Sequence, residues 1–547
     1  KFDLNMKVLL INPPVRQSQT PQDIPVGLAM IASVTKEAGH KVAFLDLNAN
    51  RIPLQVAAEE IMIDDYDIIG IGGLSSQYKD IKNILPICRQ LHPDALIVAG
   101  GGFVTYMPDK MLRLRQELDV IVIGEGEETW ADLLKEGHHG DFSKVKGIAF
   151  KDNNGKIVFT EPRPLIKDMD TLPYPAYELI DLDKYSENYQ FCLSEELLAN
   201  DTRKIHMITE RGCPRQCTFC THNGLSRWDQ VVAIGKDKVK QLDDDYGFQQ
   251  IARFNSPQFV VKHLKFLVEK FNLGYVFIAD ENFTSNRKRT TELCNLMIKE
   301  GTPDVVKWGT GGDAASVDDE TIALMKKAGC TFISFGGESA SDKVLKYDIQ
   351  KGTTRKNNQD AVDIMKRQGM EPVMTFMLGN PNENIDDILE TTDFFVKNNL
   401  SCDPFICTPY PGTKLYLDYE QQILEQFDER LAEVKKLPKG AIDEDLVAKW
   451  KDDALAKFLS SLDDADALSA TVSQVFSAHD LLGLKALMFT HDIPRLLKTA
   501  HNRNWAHSKK WADQCPVCNA KEEINQLREI NEALFTPTAT TGESDQI

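Results

Sequence analysis

The segment ERGCPRQCTFCTH, residues 210–222, sets Cys213, Cys217 and Cys220 at C-x3-C-x2-C. Thiolates are soft metal ligands, so cysteines this close together argue for a metal centre. A closed structural zinc takes four protein ligands, and a disulfide takes two cysteines. Three thiolates in one short loop can wrap one face of a cubane iron–sulfur cluster. They hold three irons and leave the fourth to a ligand that is not protein, whereas a four-cysteine site has no such opening. An open metal position implies chemistry. The competing reading is zinc, with His222 as fourth ligand in C-x3-C-x2-C-x-H.

Other residues have chemical potential with weaker spacing. CPVC, Cys515–Cys518, follows His501 and His507 as H-x5-H-x7-C-x2-C. That admits zinc but fits no common finger, and thiols in a helical tail are the alternative. Cys88, Cys192, Cys294, Cys330, Cys402 and Cys407 are scattered and read as core or strand residues. No G-x-x-x-x-G-K-S/T follows Gly100–Gly102, so a P-loop is excluded.

The elements that must position these residues are legible. KVLLINP (7–13), KVAFLDL (41–47), DIIGIGGL (67–74), ALIVAGGG (95–102) and VIVIGEG (120–126) are apolar runs ending in Gly, Asn, Asp or Pro. Doubly buried parallel strands have that pattern. Helical patterns at 27–40 and 78–91 separate them, which predicts a doubly wound, Rossmann-like sheet over residues 1–140. Ligands of such sheets sit outside the strand carboxyl ends. There the sequence places NPP, GGLSSQ, AGGG and GEGEE, small enough for a large ligand to approach the backbone. Residues 141–200 read as a connector, with a hairpin around Asn-Gly at 148–159 and a Pro- and Tyr-rich stretch at 170–185 expected across a surface. A second series, with strands near 204–210, 275–283, 305–312, 332–339, 372–381 and 404–412, predicts a partial (β/α)6 barrel over 201–420. Functional residues of such barrels gather at the strand C-termini. Residues 421–547 read as a helical C-terminal domain that caps the barrel, with the tail TPTATTGESDQI disordered.

The 547 residues carry a net charge of −19 and no Lys/Arg-rich face, which argues against a nucleic-acid partner. No apolar run reaches the length of a membrane span. The start lacks an apolar secretory core, so a cytoplasmic setting and reduced cysteines are expected.

The cysteine loop, with Phe219 before its last cysteine, resembles the radical SAM superfamily over about residues 200–415. IADENFT (278–284) is similar to the second-strand segment of that family, which implies that Asp280 and Glu281 lie near the methionine end of S-adenosylmethionine. FGGESASDKVLK (335–346) is similar to the fourth-strand segment, which gives Glu338 and Ser339 cofactor roles. FMLGNPNEN and CTPYPGTKLY resemble the fifth and sixth, but the fifth departs from G-x-I-x-G-x-x-E at Thr375 and Met377 and has Glu383 one place late. Residues 7–135 resemble the cobalamin-binding domain of one branch of that superfamily. The loop PPVRQSQTPQDIPVG lacks the histidine that ligates cobalt in other cobalamin proteins. The resemblance puts the loop after the third strand on the lower face of cobalt. It nominates Ser75, Ser76, Gln77 and Tyr78, with Tyr78 as the candidate catalytic residue, and Gly101, Gly102, Gly126 and Glu127 as cofactor-binding.

The implied cofactors are a 4Fe–4S cluster held by Cys213, Cys217 and Cys220, S-adenosylmethionine and cobalamin. The implied activity is C-methylation of an unactivated carbon, with ferredoxin or flavodoxin as electron donor. The substrate is a small molecule, peptide or protein, such as glutamine of methyl-coenzyme M reductase. A radical cyclase or rearrangement enzyme of the same architecture, or a non-catalytic cobalamin sensor, remains as an alternative. A methylthiotransferase would need a second three-cysteine site in the first domain, where Cys88 stands alone up to residue 190.

Overall fold

The computed structural model describes residues 5–17, 19–189, 201–221, 252–438, 441–463, 470–521 and 526. Cys192, His222 and the tail TPTATTGESDQI lie outside the described residues.

The first five strands are β1 (Lys7–Asn12), β2 (Lys41–Asp46), β3 (Ile68–Gly72), β4 (Leu96–Gly100) and β5 (Val120–Val122). All pair in parallel in the order β2-β1-β3-β4-β5, with Val8 opposite Val42 on one side and Ile68 on the other. The Val, Ile and Leu side chains of β1, β3, β4 and β5 are buried on both faces under helices such as Val26–Glu37 and Tyr78–Leu91, while the edge strand β2 is half-buried. The hairpin β6 (Ile148–Lys151) and β7 (Ile157–Phe159) continues this sheet antiparallel to β5. Its turn ends at Gly155, whose φ of 76° suits the Asn-Gly pair.

The second sheet is open, parallel and six-stranded, in the order β15-β14-β13-β12-β11-β8. Its strands are β8 (Arg203–Met207), β11 (Leu273–Ile278), β12 (Lys307–Gly312), β13 (Cys330–Glu338), β14 (Val373–Leu378) and β15 (Phe405–Ile406). A short antiparallel pair, β9 (Glu210–Arg211) with β10 (Arg253–Phe254), stands at the exit of β8.

Two expectations are corrected. Tyr177 and Tyr185 of the connector are fully buried rather than spread across a surface. Tyr177 meets His263 of helix Pro257–Phe271, because the apolar segment is the filling between the two sheets. The C-terminal helices do not all cap the barrel. Glu444–Ser461 buries Ala454, Leu455 and Phe458 in one core with Tyr78, Ile81 and Leu85 of the first unit. Ala478–Phe489 and Ile493–Asn502 bury Leu484 and Leu497 in the barrel core instead. Their apolar stripes are alike in sequence, and only the path of the chain decides which sheet each covers.

Candidate functional site

A cavity of about 510 Å³ lies where the carboxyl ends of the two sheets face each other. The first sheet contributes Gly72, Gly73, Gly101, Gly102 and Gly126, the barrel contributes Glu210, Arg211, Gly212 and Glu281, and the connector contributes Pro173, Tyr174 and Tyr177. Two glycines explain how the first wall is built. Gly101 has φ of 88°, and a Cβ on it would stand 2.6 Å from the Gly73 carbonyl oxygen. A Cβ on Gly70 would stand 2.7 Å from Leu10 Cδ2. A side chain at Gly101 would push the ends of β3 and β4 apart, and one at Gly70 would crowd Leu10 and Trp130 on the cradle wall.

The loop after β3 splits. Gln77 borders the cavity, but its amide is spent on the Pro13 carbonyl and the Leu74 amide, so it ties the loops after β1 and β3 together. Ser75, Ser76 and Tyr78 are buried away from the cavity; Tyr78 lies in the core with Arg115 5.8 Å over its ring. Leu74 is the residue that this loop presents to the cavity, 57% exposed. Its signal in sequence was an apolar residue directly after the Gly72-Gly73 end of a strand.

The cysteine loop is held from three sides. Thr218 donates its amide to the Ile349 carbonyl at 2.9 Å and its hydroxyl to the Asp348 carbonyl at 2.6 Å. Leu415 donates to the Thr218 carbonyl, and Tyr106 of the first unit donates its hydroxyl to the Thr221 carbonyl at 2.9 Å. Phe219 packs on the core beneath. His222, the fourth ligand of the zinc reading, lies outside the described residues, and the loop offers Cys213, Cys217 and Cys220 as three thiol donors. Burial pushes the Cys213 and Cys217 thiols up, while the Lys351 ammonium favours the Cys217 thiolate. The three residues fit a cluster that supplies positive charge to a desolvated loop.

On the barrel side the predicted carboxylates divide. Asp280 is fully buried, accepts from the Thr209 amide and hydroxyl and forms an ion pair with Arg289 at 3.5 Å, so it fixes the exit of β8 rather than facing the cavity. Glu281 faces the cavity. Glu338 ends β13 with φ of 58° and pairs with Lys351 at 2.8 Å. A non-glycine residue in the left-handed region costs about 1–3 kcal/mol and tends to occur where function needs it. Ser339 is buried against Thr391 of helix Ile385–Asn398, away from the cavity.

Sequence reasoning missed a charged joint. Glu125 and Glu127 follow β5; Arg211 pairs with both, and Arg253 pairs with Glu125 at 2.9 Å. Burial works against the charge of Glu125, but Arg253 and Arg211 outweigh it and hold its carboxyl below the usual range. Glu210 was missed as well. Burial, with Asp280 next, pushes its carboxyl up to about 10 on the cavity wall.

The profile described as B12 binding domain matches residues 21–134, and that described as Radical SAM superfamily matches residues 207–395. A protein of Pyrococcus horikoshii described as an uncharacterized methyltransferase is 30% identical over 75% of this chain and 82% of its own length. The chain belongs to the cobalamin-dependent radical SAM family. An anaerobic magnesium-protoporphyrin IX monomethyl ester cyclase of Cereibacter sphaeroides is 29% identical over 74% of this chain and 61% of its own length. The solved structure of the radical S-adenosylmethionine methyltransferase TsrM of Kitasatospora setae, with cobalamin and a 4Fe–4S cluster, shares the fold at TM-score 0.59. It is 16% identical, over 77% of this chain and 78% of that one. As a cobalamin-dependent radical SAM enzyme the protein uses a 4Fe–4S cluster, S-adenosylmethionine and cobalamin. The glycine cradle fits the large macrocycle and the cysteine loop fits the cluster. Among the described residues no helix is long and apolar enough to cross a membrane.

Proposed function

We propose that this radical SAM enzyme is a C-methyltransferase acting on an unactivated carbon. One observation carries the reading: both sheets line a single cavity, from the glycine ends of the first to Glu210, Arg211 and Glu281 of the second. The bound cofactors supply a transferable methyl group and homolytic hydrogen abstraction, which side chains cannot provide. Cys213, Cys217 and Cys220 would hold the cluster and leave one metal position open. Gly72, Gly101, Gly102 and Gly126 would let the corrin ring approach the strand ends, and Leu74 lines the same wall with an apolar side chain. The Arg211 and Arg253 joint keeps the two walls in register, which fixes distance and excludes water. Glu210 holds its proton at neutral pH and can donate a hydrogen bond into the cavity. Glu338 and Lys351 would steady the second strand-end wall beside Cys217. A reduced ferredoxin or flavodoxin is the proposed electron source.

A second reading, ring closure without methyl transfer, is favoured by the likeness to the magnesium-protoporphyrin cyclase. Product mass separates the two. Reduced, anaerobic enzyme is supplied with S-adenosylmethionine deuterated in its methyl group. The substrates are a peptide carrying the target glutamine of methyl-coenzyme M reductase and a panel of small molecules. Methyl transfer predicts a product heavier by one labelled methyl in place of hydrogen. A product that only loses hydrogen would establish the cyclase reading. Cobalamin binding without any cleavage of S-adenosylmethionine would leave a sensor.

A further inference from the structure

The C-terminal pair CPVC and the two histidines before it converge in space. His501 lies in the last turn of helix Ile493–Asn502, His507 in the loop that follows, and Cys515 and Cys518 at the start of helical residues 516–521. One donor atom from each of the four lies within 4.8 Å of all the others. Cys518 Sγ is 3.7 Å from His507 Nε2. Tetrahedral zinc with two sulfurs and two nitrogens sets its donors about 3.3–3.8 Å apart, so a small contraction closes the site.

The surroundings fit a metal better than they fit idle thiols. Cys515 is buried against the barrel core, where a thiolate needs a compensating positive charge. His507 Nδ1 lies 3.2 Å from the Ser508 carbonyl oxygen; donating there leaves Nε2 as the acceptor turned toward Cys518. A carbonyl that fixes the tautomer in this way is the usual partner of a metal-bound imidazole. The Lys521 ammonium stands 3.3 Å from His501 Nε2; Lys521 is exposed, and its long side chain can yield to an ion.

We propose that His501, His507, Cys515 and Cys518 bind one zinc ion in a closed tetrahedral site that staples the C-terminal segment to the barrel. Loading releases the two thiol protons to solvent, and two thiolates neutralise the dication. Four protein ligands leave no position for substrate, so the role is structural. The stapled segment bears on the barrel mouth. The Ser508 amide donates to Asp386 at 2.9 Å and Lys510 pairs with Glu390 at 2.8 Å, both on helix Ile385–Asn398 that follows β14.

The site is independent of the cysteine loop, so the two can be tested apart. Full-length protein is expressed with zinc and iron supplied, purified anaerobically and assayed for both metals. Wild type and Cys213→Ala should each carry one zinc per chain, although Cys213→Ala loses iron. The double variant Cys515→Ser, Cys518→Ser should lose the zinc and keep the iron. Zinc-edge X-ray absorption of the wild type should give two sulfur and two nitrogen neighbours, which tests the site even if the double variant fails to fold. Zinc absent from Cys213→Ala, zinc unchanged in the double variant, iron in its place, or a shell without sulfur would each overturn the proposal.

Discussion

Glu383 illustrates what burial does to one carboxyl. It is fully buried and accepts from the Gly379 and Asn380 amides at 2.6 and 3.1 Å, closing the turn after β14. Burial pushes its pKa from 4.5 up to about 8. The folded state therefore holds this proton more tightly than the unfolded chain does. The group's contribution to stability is full below pH 4.5 and is lost as pH rises through about 8. Glu383→Gln should flatten the fall in unfolding free energy across that window by a few kcal/mol, as denaturant titrations at about pH 5 and about pH 9 would measure. Equal slopes would refute the assignment. Glu338 makes a second case at this scale. Glu338→Ala keeps the left-handed backbone cost and leaves the Lys351 ammonium, 9% exposed, without its carboxylate. We expect cleavage of S-adenosylmethionine to fall by more than tenfold with the iron content unchanged. The chemistry of the cysteines was legible because thiol spacing along one loop is a local property. Burial of Glu210 and Glu383 was not, because the groups that desolvate them come from other elements.

Between elements, the joint of Glu125 and Glu127 with Arg211 and Arg253 decides how the two sheets meet. Glu127 is 5% exposed, and Arg211→Ala would leave its charge without its partner. Breaking a buried pair from one side costs about 3–5 kcal/mol, whereas replacing both partners with apolar groups costs far less. Arg211→Ala should therefore destabilise strongly, and Arg211→Met with Glu127→Met should recover most of the loss in denaturant unfolding. A double variant no better than the single one would mean that the pair fixes geometry rather than charge. The strands themselves were readable from sequence, since runs such as KVLLIN are buried on both faces wherever they sit. The joint was not, because Glu125 and Arg253 are 128 residues apart and nothing in either segment announces the other.

At the scale of the whole molecule, Gly412 of the barrel stands against Tyr106 of the first unit. Its φ is 87°, and a Cβ on it would run into the Tyr106 ring. Tyr106 reaches past it to the Thr221 carbonyl beside the cysteine loop. Gly412→Ala should cost about 1–3 kcal/mol from clash and strain, and it should weaken cluster retention, read as iron per chain after gel filtration. Adding Tyr106→Leu should restore stability in part but not the hydrogen bond to Thr221. Cys213→Ala, in contrast, should abolish iron binding and leave cobalamin binding intact. The cysteines and the glycine cradle sit on different sheets, and titration with hydroxocobalamin measures the second alone.

The sequence by itself determined the parts: two series of parallel strands, three thiolates in one loop, glycines at strand ends, and a first-strand loop without histidine. Each follows from periodicity or spacing within a few residues, where local sterics and burial dominate. The tertiary structure decided which parts face one another. It turned Leu74 and Glu281 to the cavity and sent Tyr78, Asp280 and Ser339 into the packing around it. It drew the connector tyrosines inside, divided the C-terminal helices between two cores and gathered His501, His507, Cys515 and Cys518. These outcomes depend on contacts between distant segments, and a residue's own neighbours in the chain do not encode them.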